Sequence, residues 1–260
     1  MIGQTVSHYK ILEKLGEGGM GIIYKAEDTK LKRTVALKFL PTALTSKPTA
    51  KERFMVEARA AAALNHLHIV TVHEINEYEQ QLYIVMEYVQ GETLKEKIDS
   101  GLIEIDEALQ LAIQTAEGLG EAHEKNIVHR DIKSDNIMID EKGQVKITDF
   151  DLAKLKGQAQ LTRKGTTLGT APYMSPEQTR GSDVDHRTDI WSLGVVMYEM
   201  FSGQLPFKGD YPQAIYYSIM NEDPEPLSRL RTGIPAELER IINKTLEKKP
   251  QNDTSKSLTC

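Results

Sequence analysis

His129-Arg130-Asp131-Ile132-Lys133-Ser134-Asp135-Asn136, followed thirteen residues later by Asp149-Phe150, places reactive side chains of complementary kinds close together in the chain. Asp131 is a carboxylate able to accept a proton from a hydroxyl, and Lys133 is a cation able to meet an anionic reacting group. Asn136 and Asp149 are oxygen donors suited to magnesium, a hard cation that usually shares its shell with phosphates. Together they are the parts needed to move a phosphoryl group from a nucleoside triphosphate to a hydroxyl. His129 reads differently, as a packed core histidine that supports the loop rather than a proton carrier.

Two motifs upstream extend this set. In Leu15-Gly16-Glu17-Gly18-Gly19-Met20-Gly21-Ile22-Ile23, glycines at 16, 18 and 21 let the backbone approach phosphate oxygens where side chains would block it. Dinucleotide-binding proteins use the same spacing but start a helix directly after it. Here Ile22-Ile23-Tyr24-Lys25-Ala26 is strand-like, which disfavours that alternative and leaves a phosphate loop or a glycine-bearing hairpin. In Val35-Ala36-Leu37-Lys38, the lysine is either a guard on an edge strand or a buried cation that needs an opposite charge. Glu57, on an alanine-rich helical stretch, is the candidate partner.

The elements that must position these groups change character near residue 90. Strands are expected at 9–16, 21–28, 34–40, 69–75 and 82–88, and a helix at 51–64 lies between the third and fourth. Helices are expected at 93–100, 106–125, 185–202, 211–221 and 235–247. The second of these is read as capped by Asp106, with Leu109, Ile113, Ala116 and Leu119 on its apolar face. The apolar stretch 190–201, broken by Ser192, Gly194 and Glu199, is too short to span a bilayer and reads as a buried core helix. A sheet-rich lobe of about 85 residues, a short connector and a larger helical lobe follow.

Composition bounds the function. The chain has 260 residues, 40% of them hydrophobic, which is ample for a core. A net charge of −6 argues against a general nucleic-acid binder. The single cysteine, Cys260, cannot form a disulfide within the chain, and no signal peptide is visible, so a soluble cytoplasmic protein is expected.

The pattern H-R-D-x-x-x-x-N with a downstream D-F, together with the glycine motif and Val35-Ala36-Leu37-Lys38, resembles the eukaryotic-type protein kinase superfamily over nearly the whole chain. Gly16 to Gly21, Tyr173-Met174-Ser175-Pro176-Glu177-Gln178 and Asp189-Ile190-Trp191-Ser192-Leu193-Gly194 look most like the bacterial Ser/Thr kinases. The resemblance implies an α+β bilobal fold, with a β-rich N-lobe at 9–86, a hinge at 87–91 and a mainly helical C-lobe at 92–250. It also implies a polar tail at 251–260 in place of the final helices. By the same likeness, Leu15, Gly16, Gly18 and Gly21 cover ATP, Lys38 holds its α- and β-phosphates, and Glu57 positions Lys38. Met86 is the gatekeeper, Glu87 and Val89 lie in the hinge that binds adenine, and Ile23, Ala36 and Met138 sandwich the ring. Asp131, Lys133 and Asn136 are the catalytic set, with Asn136 and Asp149 holding Mg2+ or Mn2+. Thr170 hydrogen-bonds near Asp131. The implied activity is transfer of the ATP γ-phosphate to Ser or Thr of protein substrates, and the alternative is a nucleotide-binding pseudokinase scaffold. A small-molecule kinase on a related fold is disfavoured by the segments around Thr170, Glu177 and Trp191.

Further expectations concern regulation. Arg130 beside Asp131 resembles kinases switched by activation-loop phosphorylation, with Thr166, Thr167 and Thr162 as candidate acceptors and dimerisation for trans-autophosphorylation. Asp151 stands where the family usually carries glycine, and slowed or altered activation is expected from it rather than loss of chemistry. After Pro250 the arginine that usually pairs with the glutamate at 177 is replaced by Gln251-Asn252-Asp253-Thr254, so Glu177 is expected to lack its partner.

Overall fold

The computed structural model describes residues 1–19, 21–42, 48–150 and 169–248, without the side chains of residues 48, 50, 53 and 57. Strands β1 (Thr5–Val6), β2 (Tyr9–Gly18), β3 (Gly21–Asp28), β4 (Arg33–Phe39), β5 (Val72–Tyr78) and β6 (Gln81–Glu87) form an antiparallel sheet in the order β1-β2-β3-β4-β6-β5. Helix α1 (Pro48–Ala62) lies between β4 and β5 in the chain.

Alternation along β4 sorts its side chains onto two faces. Val35, Leu37 and Phe39 join Tyr9, Ile11, Tyr24, Tyr83 and Val85 in one apolar layer. Ala36 joins Ile84 and Met86, with Phe54 and Ala58 of α1, in the other. Lys38 falls on this second face by parity and is 1% exposed. Both edges of β4 are paired, Lys38 lying opposite Ile23 on one side and Ile84 on the other, so it does not guard an edge strand.

The second body begins with β7 (Gly91–Thr93), which pairs with β8 (Ile137–Asp140), and β8 pairs with β9 (Val145–Ile147). Its helices are α2 (Leu94–Ser100), α3 (Ile105–Glu124), α4 (Pro176–Arg180), α5 (Arg187–Ser202), α6 (Pro212–Asn221), α7 (Leu227–Leu230) and α8 (Ala236–Thr245). Thr93 and Glu96 close a capping box at the start of α2. Helix α5 is buried almost all round, as a core helix must be to satisfy an apolar surface without a solvent face. The two bodies are stitched where Val70 N–H donates to Ile147 O and Ile147 N–H to His68 O, each at 2.9 Å. The Lys146–Glu87 ion pair at 2.7 Å adds a third tie.

Two expectations are corrected. The strand expected at 69–75 begins at Val72, because Ile69 bridges to Ile147 and Val70 bonds to it as part of the join between the sheets. Asp106 does not cap α3: Glu104 is the N-cap, without a side-chain cap bond, and Asp106 sits in the first turn. The buried stripe of α3 is Ala108, Leu111, Ala112, Thr115, Gly118, Leu119 and Ala122, whereas Leu109 and Ile113 are 37% and 42% exposed and Ala116 is exposed. Close approach explains the glycine in it. A Cβ on Gly118 would lie 2.9 Å from Ile147 Cδ1, so the stripe carries no side chain at that point, while Leu111 and Leu119 fill it on either side.

Gly21 has φ +116°, and a Cβ there would lie 1.9 Å from the Phe39 carbonyl oxygen, while no atom lies within 4 Å of a Cβ on Gly18. Gly21→Ala is therefore expected to lower stability in urea unfolding by about 1–3 kcal/mol. Gly18→Ala should leave stability within about 0.5 kcal/mol of the parent.

Candidate active site

Asp189, fully buried on α5, organises the loop that carries Asp131. Its Oδ2 accepts the His129 N–H at 2.8 Å and its Oδ1 accepts the Arg130 N–H at 2.8 Å. The His123 Nε2 also meets Oδ2 at 2.8 Å. These bonds hold Arg130 at φ +66°, a left-handed conformation that is costly for a residue with a Cβ. His129 is fully buried, bonds through Nε2 to Thr148 O at 2.8 Å and packs edge-on against Phe150 at 4.6 Å. It is a core histidine that ties the loop to the segment bearing Asp149.

At the reactive end, Asp131 is 8% exposed, and its Oδ2 lies 3.9 Å from Lys133 Nζ. Its Oδ1 is buried with no hydrogen-bond partner among the described residues. Lys133 Nζ donates to Thr170 Oγ1 at 3.3 Å, so Thr170 reaches Asp131 through the lysine. Asn136 Nδ2 donates to the Asp131 carbonyl at 2.8 Å, which leaves the amide oxygen of Asn136 for another partner. Thr148 N–H donates to Asn136 O at 2.9 Å and fixes the approach of Asp149. Asp149, at φ +63°, receives Lys38 Nζ on Oδ1 at 2.6 Å. Burial alone would push the Asp149 carboxyl up, but the Lys38 ammonium, with smaller help from His129 and Lys133, holds it below the usual carboxylate range.

The apolar side of the cleft is built from both bodies. Ala36, Met86 and Val89 are buried in one cluster against which Ile23 and Met138 pack. The Glu87 carboxylate accepts the Thr71 N–H at 3.2 Å and pairs with Lys146, and the Glu87 N–H donates to Thr71 O at 2.9 Å. Behind Met86 a small cavity of about 30 Å3 is bounded by Asp149 and Phe150. Leu15 is 44% exposed at the end of β2, and a Cβ on Gly16 or Gly18 would meet no other atom within 4 Å, so the strands leave open space at the glycine motif. Lys38, Asp131, Lys133, Asn136 and Asp149 thus come together, with the glycine-bearing strands β2 and β3 beside them.

The Glu57 side chain lies outside the described residues, as do Asp151, Thr162, Thr166, Thr167 and the tail from residue 249. Glu177, expected to lack an arginine partner, is partly buried and accepts the Thr188 hydroxyl on Oε1 at 3.0 Å. A hydroxyl donor eight residues past the end of α4, at the start of α5, does part of what a cation would do. Asp189 is the residue whose task the motifs did not reveal. The available signal was a carboxylate near the start of a mostly apolar helix, which cannot be buried without several donors.

The donor set fits a nucleotide and a divalent cation. Asp131 Oδ1 is an orphaned buried acceptor, Asn136 and Asp149 supply hard oxygens, and the glycine strands leave room for phosphates. Among the described residues no group of three or more His, Cys, Asp or Glu side chains gathers, so a cation there would complete its shell from water and phosphate.

A protein kinase domain model matches residues 9–257, and the chain belongs to the protein kinase family. It is 41% identical over 254 residues to a probable serine/threonine-protein kinase of Clostridium acetobutylicum, spanning 97% of this chain and 39% of that protein. It is 40% identical over 250 residues to the serine/threonine-protein kinase PknB of Mycobacterium leprae, covering 94% of this chain and 40% of PknB. The chain therefore spans about two fifths of the length of the curated relatives it matches. The crystal structure of the Mycobacterium tuberculosis PknI kinase domain superposes with a TM-score of 0.74 at 25% identity, over 96% of this chain and 92% of that one. The family uses ATP and a divalent metal ion.

A carboxyl depressed in the folded state stabilises the fold above its unfolded value and withdraws that contribution as pH falls through the folded value. Below pH 3.8, the ordinary value for Asp149, the parent is expected to lose stability more steeply than Asp149→Asn, as read from urea midpoints across an acid series.

Proposed function

We propose that this chain is a Ser/Thr protein kinase domain that transfers the ATP γ-phosphate to Ser or Thr hydroxyls of protein substrates. The observation that carries this reading is the convergence of Lys38, Asp131, Lys133, Asn136 and Asp149, with Asp131 Oδ1 buried and unpaired. A buried acceptor without a donor costs about 1–3 kcal/mol, so the site is poised for a hydroxyl.

In this reading Asp131 takes the substrate hydroxyl's hydrogen bond on Oδ1 and accepts its proton as the hydroxyl oxygen bonds to the γ-phosphorus and the bond from that phosphorus to the β,γ-bridging oxygen breaks, ADP leaving. Lys133, already within reach of Asp131 and Thr170, offers its ammonium to the transferred group. Lys38 binds phosphate oxygens, and Glu57 orients it. Asn136 and Asp149 hold Mg2+, for which Mn2+ can substitute. ATP supplies the phosphoryl group, and the metal neutralises its charge. Ile23, Ala36, Met86, Val89 and Met138 enclose the adenine, whose polar edge meets the hinge backbone at Glu87 and Val89. Leu15, Gly16, Gly18 and Gly21 cover the phosphates. The N-lobe, hinge and C-lobe divide at residues 86 and 91, and the kinase domain ends at 250. The protein acts in the cytoplasm on protein substrates, and two copies phosphorylate each other at Thr166, Thr167 or Thr162. Among the described residues no helix is long and apolar enough to cross a membrane.

The test is transfer of labelled γ-phosphate to a generic basic protein by the parent, Asp131→Asn and Lys38→Met. Label is expected with the parent, a loss of at least about 100-fold with either variant, and no label after EDTA. Equal labelling by all three sinks the reading. Phosphopeptide mapping of the same parent sample should place phosphate on Thr166, Thr167 or Thr162, and an unmodified segment in an active sample refutes the autophosphorylation step.

A further inference from the structure

Ser134, between Lys133 and Asn136, has no part in the chemistry above, yet its side chain is fully buried. Its Oγ lies 2.8 Å from Tyr173 Oη. The Tyr173 hydroxyl donates in turn to Glu199 Oε2 at 2.7 Å, and Tyr173 and Glu199 are 4% and 3% exposed. Lys95 Nζ stands 4.0 Å from the other Glu199 oxygen. Three separate segments therefore meet through one buried line of oxygens: the loop of Asp131, the turn that follows Thr170, and the core helix α5.

The direction of the line follows from proton counting. A phenol has one proton, and here it points to Glu199. The Tyr173 oxygen is then left as an acceptor, so the Ser134 hydroxyl is the donor to it. Burial pushes the Glu199 carboxyl up, while the Tyr173 and Ser134 hydroxyls and the Lys95 charge pull it back. The far end is anchored as well, because the Tyr173 carbonyl accepts the Ser192 hydroxyl of α5 at 2.9 Å. Each end of the line sits next to a working residue. Ser134 follows Lys133 and opens the short turn that presents Asn136. Tyr173 N–H donates to Thr170 O at 3.1 Å, and Thr170 is the partner of Lys133. The Lys133–Thr170 contact is long and partly exposed, so by itself it cannot set the spacing of the two loops.

We propose that Ser134 is a positioning residue: its hydroxyl, through Tyr173 and Glu199, fixes the loop bearing Asp131, Lys133 and Asn136 against the turn bearing Thr170, and so sets where an acceptor hydroxyl meets Asp131. The inference rests on the phosphotransfer reading for its kinetic consequence but not for its structural one. The contribution is one of register. A loop free to shift by a fraction of an ångström would still bind nucleotide, through Lys38 and the glycine strands, but would hold the acceptor out of line.

The experiment compares Ser134→Ala, Tyr173→Phe and the double variant with the parent by steady-state phosphotransfer and by hydrogen exchange of the 130–136 segment. Ser134→Ala is expected to lower kcat toward a peptide acceptor about tenfold, the loss of one buried hydrogen bond. KM for ATP should stay within about twofold of the parent, because nucleotide contacts are untouched. Exchange of 130–136 should quicken in Ser134→Ala, and the double variant should be no slower in turnover than Tyr173→Phe alone. Parent-like exchange or parent-like kcat in Ser134→Ala, or losses that multiply in the double variant, overturn the proposal. Should the parent transfer no phosphate, the phosphotransfer reading falls on its own, and exchange of 130–136 still decides the positioning of the loop.

Discussion

A single buried carboxylate sets the terms for this site. Asp189 spends both oxygens on the backbone N–H groups of His129 and Arg130 and adds the His123 ring. Those donors are what make a charge tolerable at full burial inside an apolar helix. In return the helix dictates the path of the loop, including a left-handed Arg130 that the sequence would not adopt unaided. Because α5 is packed on nearly every side, the carboxylate has no freedom to follow the loop, so the loop must follow the carboxylate. Rigidity at Asp131 is thus borrowed from the core of the larger body.

The other half of the site is held by opposite logic. Lys38 sits on the apolar face of β4 because strand parity leaves it nowhere else, and its charge is met by Asp149 from the second body. A buried ion pair adds little net stability, since desolvation offsets much of the attraction, but removing one partner strands the other. Its effect is on location: it fixes which residue of one body faces which of the other. The Lys146–Glu87 pair repeats the arrangement nearer the surface, with side chains 13% and 30% exposed, and screening makes it the weaker tie. An anion entering beside Lys38 competes with Asp149 for the same ammonium, so the cleft's charge balance changes with whatever occupies it.

How much of this was legible in the sequence depends on the kind of information each residue carries. The strands β2, β3, β4 and β6 and the helices α2, α3, α5, α6 and α8 could be placed within a few residues, because alternation and helical spacing are local properties, whereas the short α4 and α7 carry too few residues to show a period. Lys38, Asp131, Asn136 and Asp149 could be grouped because their chemistry is complementary. The packing of α3 could not be read: Leu109 and Ile113 have the spacing of a core face, yet the helix buries the neighbouring stripe through Leu111, Thr115 and Leu119, with glycine at 118 where it meets β9. The partner that Lys38 takes, the donors on Asp189 and the hydroxyl on Glu177 all depend on residues far away in the chain. Ser134 was invisible for the same reason, since a serine beside a lysine announces nothing until Tyr173 arrives against it.

The glycine motif shows how one spacing pattern can serve two physical needs. Gly21 answers to the protein itself, as its positive φ and the Phe39 carbonyl exclude any side chain at that point of the hairpin. At Gly16 and Gly18 a methyl group would meet no atom of the described residues within 4 Å. Gly16 adjoins a bulge in the β2–β3 pairing and Gly18 closes the hairpin opposite Gly21, so glycine suits the irregular ladder there although β propensity weighs against it in a regular strand. The motif therefore divides into one residue whose side chain the Phe39 carbonyl excludes and two beside which the described residues leave space.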